Sequence, residues 1–110
     1  MTYSNLETGK NFIALLDGNK NYAGAAELLA EDFRFVSPKF NAANKNDWLT
    51  GFPEMHKDAP IFEGLVVGAN DKNTLTRKGT KKVGFINFSL VEIIEFNEEG
   101  KIQSITGKRA

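Results

Sequence analysis

The first half of the chain repeats its apolar positions with the period of an α-helix. In residues 5–18 the apolar side chains recur at mixed spacings of three and four, which predicts one amphipathic helix. A second apolar face predicts a helix at residues 22–31, with Asn21 as its N-cap. Asn44 would cap a third helix, in which Pro53 favours a kink or an early end.

From Phe33 the apolar period changes to two, which is typical of a β-strand. Phe33, Phe35 and Ser37 would share one face of this strand. Pro38 would end it, because proline cannot donate a hydrogen bond to a neighbouring strand. The sequence therefore predicts a short aromatic strand that directly follows the second helix.

The second half of the chain is strand-like almost throughout, with turns expected between the runs and a β-bulge at Gly84. Three helices followed by antiparallel strands predict an α+β fold in a single domain, residues 1–110. We expect the sheet to curve into a cone around the three helices, with a pocket at its open end. The predicted strands are residues 61–69, 74–79, 81–97 and 102–109.

Composition and charge exclude several classes of function. The 14 basic and 14 acidic residues cancel, so nothing favours a nucleic acid or an anionic membrane as partner. The chain has no cysteine and one histidine, so we expect no disulfide, no metal and no cofactor. No secretory signal and no long apolar run is present, which favours a soluble cytoplasmic protein.

The order of these elements resembles the nuclear-transport-factor-2-like superfamily, which has a cystatin-like α+β barrel fold. The motifs that carry the resemblance are LLAEDFRFVSP, NKNDWLTGF and VEIIEFNEEGKIQSI. Members include SnoaL-like polyketide cyclases, ketosteroid isomerase, scytalone dehydratase and non-catalytic association domains. The resemblance covers roughly residues 6–109, and because its motifs are structural it supports a fold more than a function.

Ketosteroid isomerases are the members whose residue roles are clearest, and this chain matches them at one position of three. Ser37 stands before Pro38 where they carry the aspartate base, and a serine hydroxyl alone is too weak a base. Phe12 stands where they carry a tyrosine donor. Glu92, in EIIEFNEEGK, matches their second, acidic donor. An isomerase of this particular type is therefore not expected.

Glu92 and His56 are the two candidate catalytic residues. Strand alternation places Glu92 among aromatic and aliphatic side chains, where a carboxyl group could act as a general acid or hydrogen-bond donor. Alternatively, Glu92 pairs with a lysine or arginine near the rim. His56 lies four residues after Phe52, where it could contact a ligand or simply end the helix.

The remaining candidates would line the cone and contact a ligand, because aromatic side chains often line such pockets. The alternative is that they are core residues that fill the cone completely. They are Phe12, Tyr22, Phe33, Phe35, Ser37, Trp48, Phe52, Phe88, Leu90 and Ile94.

Two functions remain open. The first is a pocket protein for a small apolar or aromatic molecule, with or without isomerase, cyclase or dehydratase-like acid–base chemistry. The second is a non-catalytic dimeric association module. Val91 and Ile93 would point to the outer face of the sheet, and leaving them in water predicts a homodimer through that face.

Overall fold

The computed structural model describes residues 5–18, 20–38, 40–56, 62–71, 73–83 and 85–109. Within these residues, three α-helices and a π-helical turn lie in the first half of the chain, and six strands form one sheet. The helices are α1 (Asn5–Ile13), followed by the π-helical turn (Ala14–Gly18), α2 (Tyr22–Ala26) and α3 (Lys45–His56). The strands are β1 (Leu29–Val36), β2 (Asn41–Ala42), β3 (Phe62–Asp71), β4 (Thr74–Val83), β5 (Ile86–Phe96) and β6 (Ile102–Arg109).

The two predicted helix caps are confirmed. The Asn21 Oδ1 accepts a hydrogen bond from the Gly24 amide at 2.9 Å, which satisfies one of the free donors at the start of α2. The Asn44 Oδ1 accepts from the Asp47 amide at 2.8 Å and caps α3 in the same way. Pro53 lies inside α3, which continues to His56.

The second helix is shorter than the sequence predicts, and this prediction is corrected. It ends at Ala26 instead of residue 31, and β1 begins at Leu29. Leu29 is paired with Ile102 of β6, and the Ile102 amide donates to the Leu28 carbonyl at 2.8 Å. Pairing with another strand therefore overrides the helix propensity of residues 27–31.

The sheet has the strand order β2-β1-β6-β5-β4-β3. All neighbouring pairs are antiparallel except β1 and β6, which run parallel. The sheet is therefore mixed, whereas the sequence predicts antiparallel strands throughout.

The long predicted strand at residues 81–97 is two strands, and this prediction is also corrected. Its first residues complete β4, and a turn before Ile86 starts β5. The two strands pair without a register shift from Thr74↔Glu95 to Val83↔Ile86. The predicted bulge residue, Gly84, lies outside the described residues.

The core fills the space between the helices and the inner face of the sheet. One close approach depends on Gly9 of α1: a Cβ built there would lie 2.4 Å from the Leu75 Cδ1 of β4. A side chain at this position would require either α1 or the Leu75 side chain to shift. The fully buried large side chains are Trp48, Phe12, Phe33, Leu29, Leu75, Ile94 and Ile102.

Candidate functional site

A row of four residues crosses the inner face of the sheet one pleat beyond the apolar core, and we call it the polar row. It consists of Ser37, which directly follows β1, Gly107 on β6, Glu92 on β5 and Arg77 on β4. Register pairs Gly107 with Glu92 and Glu92 with Arg77. A Cβ built on Gly107 would lie 3.7 Å from both Ser37 Cβ and Glu92 Cγ, so these side chains flank the glycine.

An apolar row lies about 7 Å further into the cone, since two residues of a strand span that distance. Phe35, Ile105, Ile94 and Leu75 are register partners across the same four strands. All four are at most 5% exposed. The polar row thus lies at the edge of the packed apolar core.

Arg77 is the centre of the charged part of this site. Its Nη1 donates to the Glu92 Oε1 at 3.0 Å, and its Nη2 donates to the Asp17 Oδ2. The Arg77 side chain is 5% exposed, whereas those of Asp17 and Glu92 are 20% and 21% exposed. One buried guanidinium is therefore held between two carboxylates that still reach solvent.

Asp17 reaches this site from the π-helical turn. In a π-helical turn the hydrogen bonds join residues five apart, so position 17 lies close to the face of position 12. Phe12 and Leu16 are both buried against the sheet. Asp17 turns inward toward Arg77, on the side of the chain that also buries Ile13 four residues earlier.

Tyr22 adds a hydroxyl group close to Asp17. Burial raises the pKa of Tyr22 above its ordinary value of 10.0, and the negative charge of Asp17 raises it further. The phenol is therefore neutral at physiological pH and able to donate a hydrogen bond.

The predicted pocket-lining aromatic side chains lie together below these polar groups, in a group that we call the aromatic layer. Trp48 stacks on Phe52 with ring centroids 4.9 Å apart, and Phe33 meets Trp48 edge to face at 6.2 Å. The Trp48 Nε1 is buried and has no hydrogen-bond acceptor among the described residues. The aromatic layer consists of Phe12, Tyr22, Phe33, Phe35, Trp48 and Phe52.

Ser37 lies beside the site, and its hydroxyl takes part in the turn after β1. The Ser37 Oγ donates to the Phe40 carbonyl at 2.7 Å and accepts from the Phe40 amide at 3.1 Å. Asn41 supports the same turn by accepting from the Ser37 amide at 3.1 Å. The hydroxyl thus fixes the rim of the cone, and the Ser37 Cβ faces Gly107.

The remaining predicted site residues lie on β5, apart from His56 at the end of α3. Glu92, Ile94 and Phe96 share the inner face of β5, which confirms the predicted alternation over this stretch. Leu90 continues that side of the strand and is half-buried. The side chains of His56 and Phe88 lie outside the described part of the structure.

Asp17 and Arg77 belong to the site but were not predicted from the sequence. Arg77 belongs to RKGTKK, which looks like a solvated turn, and Asp17 belongs to DGNKN, which looks like a helix end. One signal was available: Leu75 and Arg77 are two residues apart, so they share one face of a strand. Asp17 had a similar signal, because it lies four residues after Ile13 and so shares the apolar face of the predicted first helix.

A separate groove of about 360 Å³ lies at the opposite end of β1, between the start of α3 and the β5–β6 hairpin. It is open and is lined largely by charged side chains, including those of Asp32, Lys45 and Lys101. The Lys101 Nζ already donates to the Glu27 carbonyl at 2.8 Å. This groove is distinct from the polar row.

The described residues lack two features, a metal-binding cluster and a membrane-spanning helix. They contain no group of three or more histidine, cysteine, aspartate or glutamate side chains arranged to hold a metal ion. No helix among them has the length and apolar character needed to cross a membrane.

Comparison of the structure with solved structures identifies the fold. A nuclear-transport-factor-2-like protein from Cytophaga hutchinsonii is 16% identical with a TM-score of 0.73, and the match covers 100% of this chain and 93% of that chain. A steroid delta-isomerase from Pseudomonas aeruginosa is 16% identical with a TM-score of 0.75, covering 100% and 82% of the two chains. The Orange Carotenoid Protein of Anabaena, binding canthaxanthin, is 20% identical with a TM-score of 0.70, covering 91% of this chain and 35% of that one.

No family model matches the sequence, and no curated protein matches it. The structural likenesses, all at low sequence identity, show the fold alone. They confirm the α+β fold and the nuclear-transport-factor-2-like resemblance at that level.

Proposed function

Proceeding from this nuclear-transport-factor-2-like fold, we propose that the chain binds a small apolar or aromatic molecule at the open end of its cone. The observation that carries the proposal is the buried Arg77 between the partly exposed carboxylates of Asp17 and Glu92. Removing three charged groups from water is costly, and apolar side chains of similar size would stabilise the core at least as well. Natural proteins depart from well-packed apolar cores mainly at functional or strained sites, so this cluster is a candidate functional site.

The proposed ligand has an apolar body and one polar group. Its body would contact the aromatic layer, in which Phe35 and Phe52 lie 5.4 Å apart. Its polar group would meet Glu92, whose side chain is 21% exposed. The Trp48 indole N–H, which has no acceptor among the described residues, is a further candidate donor to a ligand oxygen.

The structural neighbours are consistent with an apolar ligand. One is named a steroid delta-isomerase and another binds canthaxanthin, a carotenoid. Acid–base catalysis of the isomerase, cyclase or dehydratase type would use Glu92 as the group that exchanges a proton. His56 is retained as a second catalytic candidate on its sequence position alone.

Titration of the purified protein with lipophilic ligands tests the binding proposal. Trp48 is the single tryptophan, so its fluorescence reports directly on the aromatic layer. A ligand should change this fluorescence saturably and raise the melting temperature, because binding to the folded state adds about 2.7 kcal/mol at 100 times Kd. A flat response from steroids, polyketide-like aromatics and carotenoids alike would count against the proposal.

Two matched variants locate the ligand on the sheet. Glu92→Gln removes a carboxylate from the inner face of β5, and Glu95→Gln removes one from the exposed outer face. We expect weaker binding in the first variant and unchanged binding in the second. Equal affinities in both variants would remove Glu92 from the site.

A second candidate function is a non-catalytic association module. The aromatic layer favours it, because Phe12, Phe33 and Trp48 are each at most 2% exposed and already fill much of the cone. The module would be a homodimer through the outer sheet face, which carries Val91 and Ile93. Dimer formation together with no ligand response would favour this function over the first.

A further inference from the structure

The turn between β4 and β5 carries two large apolar side chains into solvent, and we call Phe85 and Ile86 the hairpin tip. Phe85 is 103% exposed and Ile86 is 58% exposed. Val83 and Ile86 are the last register pair of the two strands, six residues beyond the pair of Arg77 and Glu92. Since a strand rises about 3.3 Å per residue, the hairpin tip projects about 20 Å past the polar row.

Among the described strands, β4 and β5 alone extend to the hairpin tip. β6 ends at Arg109, which is the register partner of Leu90, and β3 begins at Phe62, which is the partner of Lys81. Single exposed apolar side chains are common on protein surfaces, but two adjacent ones at a projecting turn favour contact with another surface.

Basic residues lie along the strands that lead to the hairpin tip. Lys81 and Lys82 occupy the two β4 positions before the last register pair. Further back, Lys78 on β4 and Lys108 on β6 lie on either side of Val91, and both of these lysines are exposed. The partner of this surface is therefore expected to be negatively charged.

Acidic residues lie at the opposite end of the sheet. Glu95 is near the far end of β5, and Glu98 and Glu99 lie in the turn that follows it. On the strand residues described between the polar row and the hairpin tip, the acidic residue is Glu63 of β3. The prediction that no anionic membrane is a partner rests on the total charge, and the total charge does not describe this separation.

We propose that the hairpin tip docks the protein on the surface of a membrane that contains anionic lipids. Phe85 and Ile86 enter the boundary between the headgroups and the acyl chains. Lys81 and Lys82 are placed within about 10 Å of the hairpin tip along the strand, about one Debye length, so they attract the lipid phosphates. The docking is independent of the ligand proposed above.

A membrane fits this surface better than a nucleic acid does. Proteins that bind single strands stack successive bases on aromatic rings along a basic groove. The hairpin tip is a projecting turn, and Ile86 offers no ring for stacking. A fluid lipid boundary accepts a projecting apolar turn without a matching cavity, and an apolar group beside basic residues supplies the two signals that membrane anchoring usually combines.

Flotation of the native chain with lipid vesicles tests the proposal. We expect binding to phosphatidylcholine vesicles that contain about 30% phosphatidylserine and much weaker binding to phosphatidylcholine alone. Raising the NaCl concentration from about 0.1 M to about 0.5 M should weaken the binding about fivefold or more, because salt screens the lysines. A native chain that stays unbound on the anionic vesicles would overturn the proposal.

Two double variants separate the two signals. Phe85→Ser with Ile86→Ser removes the apolar side chains and should lower the vesicle affinity about tenfold or more. Lys81→Gln with Lys82→Gln removes two charges and should also lower it about tenfold or more, because each lysine near an anionic surface contributes about fivefold.

Matched controls make the same chemical changes elsewhere. Val36→Ser removes an apolar side chain of β1 that is 50% exposed, and Lys10→Gln with Lys45→Gln removes two charges from α1 and α3. These variants should keep the native vesicle affinity. Losses as large as those of the hairpin variants would mean that binding follows total charge or hydrophobicity, and the hairpin tip would lose its role.

A tryptophan at the hairpin tip reports on insertion directly. Trp48 is 0% exposed, so a change in emission of the Phe85→Trp variant comes from position 85. The emission should shift to shorter wavelength when anionic vesicles are added. Flotation without this shift would show that another surface touches the membrane and would overturn docking by the hairpin tip. Binding to oligodeoxythymidine without binding to vesicles would overturn it in favour of a nucleic-acid contact.

Discussion

Arg77 and Glu92 face each other across the β4–β5 hairpin, with 3.0 Å between the Arg77 Nη1 and the Glu92 Oε1. Within the polar row the pair links a buried group to one that reaches solvent, because the arginine side chain is 5% exposed and the glutamate side chain 21%. Asp17 approaches the same guanidinium from the π-helical turn, so this contact also fastens the helices to the sheet.

Replacing Arg77 by methionine should destabilise the protein by about 1–3 kcal/mol. The substitution leaves Asp17 and Glu92 partly buried without their shared counter-ion, and their remaining exposure keeps the loss below that of a fully buried pair. Urea unfolding measures the change. Lys10→Met on the exposed side of α1 is the control and should stay within about 0.5 kcal/mol.

A triple variant separates the charge effect from the packing effect in this experiment. Adding Asp17→Asn and Glu92→Gln to Arg77→Met removes all three charges, so most of the lost stability should return. If the triple variant is as unstable as Arg77→Met alone, the loss comes from packing and the ion network contributes little.

The raised pKa of Tyr22 predicts a loss of stability in alkali. Burial, and secondarily Asp17, raises this pKa above 10.0, so the folded chain keeps the phenol proton where the unfolded chain loses it. The contribution is complete below pH 10 and is lost as the pH rises through the folded pKa. Between about pH 9 and about pH 11, the free energy of unfolding should therefore decrease less in Tyr22→Phe than in the native chain.

Titrating the phenol by its absorbance checks the cause. The chain has two tyrosines, and Tyr22→Phe leaves only Tyr3 to define the background curve. Asp17→Asn should lower the pKa of Tyr22 only part of the way toward 10.0, because burial is the larger cause. A Tyr22 pKa that is unchanged by Asp17→Asn would show that the carboxylate does not act on the phenol.

The cap at Asn44 makes a separate contribution to stability. Asn44→Ala removes the acceptor for the Asp47 amide and should cost about 1 kcal/mol, as measured by thermal or urea unfolding. Asn46→Ala removes an exposed asparagine within the first turn of α3 and is the matched control. Equal losses in the two variants would argue against a specific capping effect.

Periodicity and capping signals were sufficient to predict the α+β layout. Asn21 and Asn44 mark the starts of α2 and α3, and the face shared by Glu92 and Ile94 follows from strand alternation. These features depend on neighbours within a few residues, which one sequence displays directly.

Features that depend on distant partners were not predicted. The end of α2 at Ala26 results from the pairing of Leu29 with Ile102, 73 residues further along the chain. The contact between Asp17 and Arg77 spans 60 residues. Local pattern carries no information about either pairing, so the centre of the candidate site was missed.

The contact between Gly9 and Leu75 tests how tightly α1 packs on the sheet. A Cβ at position 9 would lie 2.4 Å from the Leu75 Cδ1, and Leu75 is 1% exposed and has little room to move. Gly9→Ala should therefore cost about 1–3 kcal/mol from overpacking, partly offset by up to about 1 kcal/mol of helix propensity.

Leu75→Val removes the clashing atom but leaves a small cavity, so alone it should cost about 1 kcal/mol. In the double variant the added methyl occupies that space, and the combined loss should be smaller than the sum of the two single losses. Urea unfolding of all four proteins gives the coupling free energy, and strictly additive losses would mean that the two side chains do not meet.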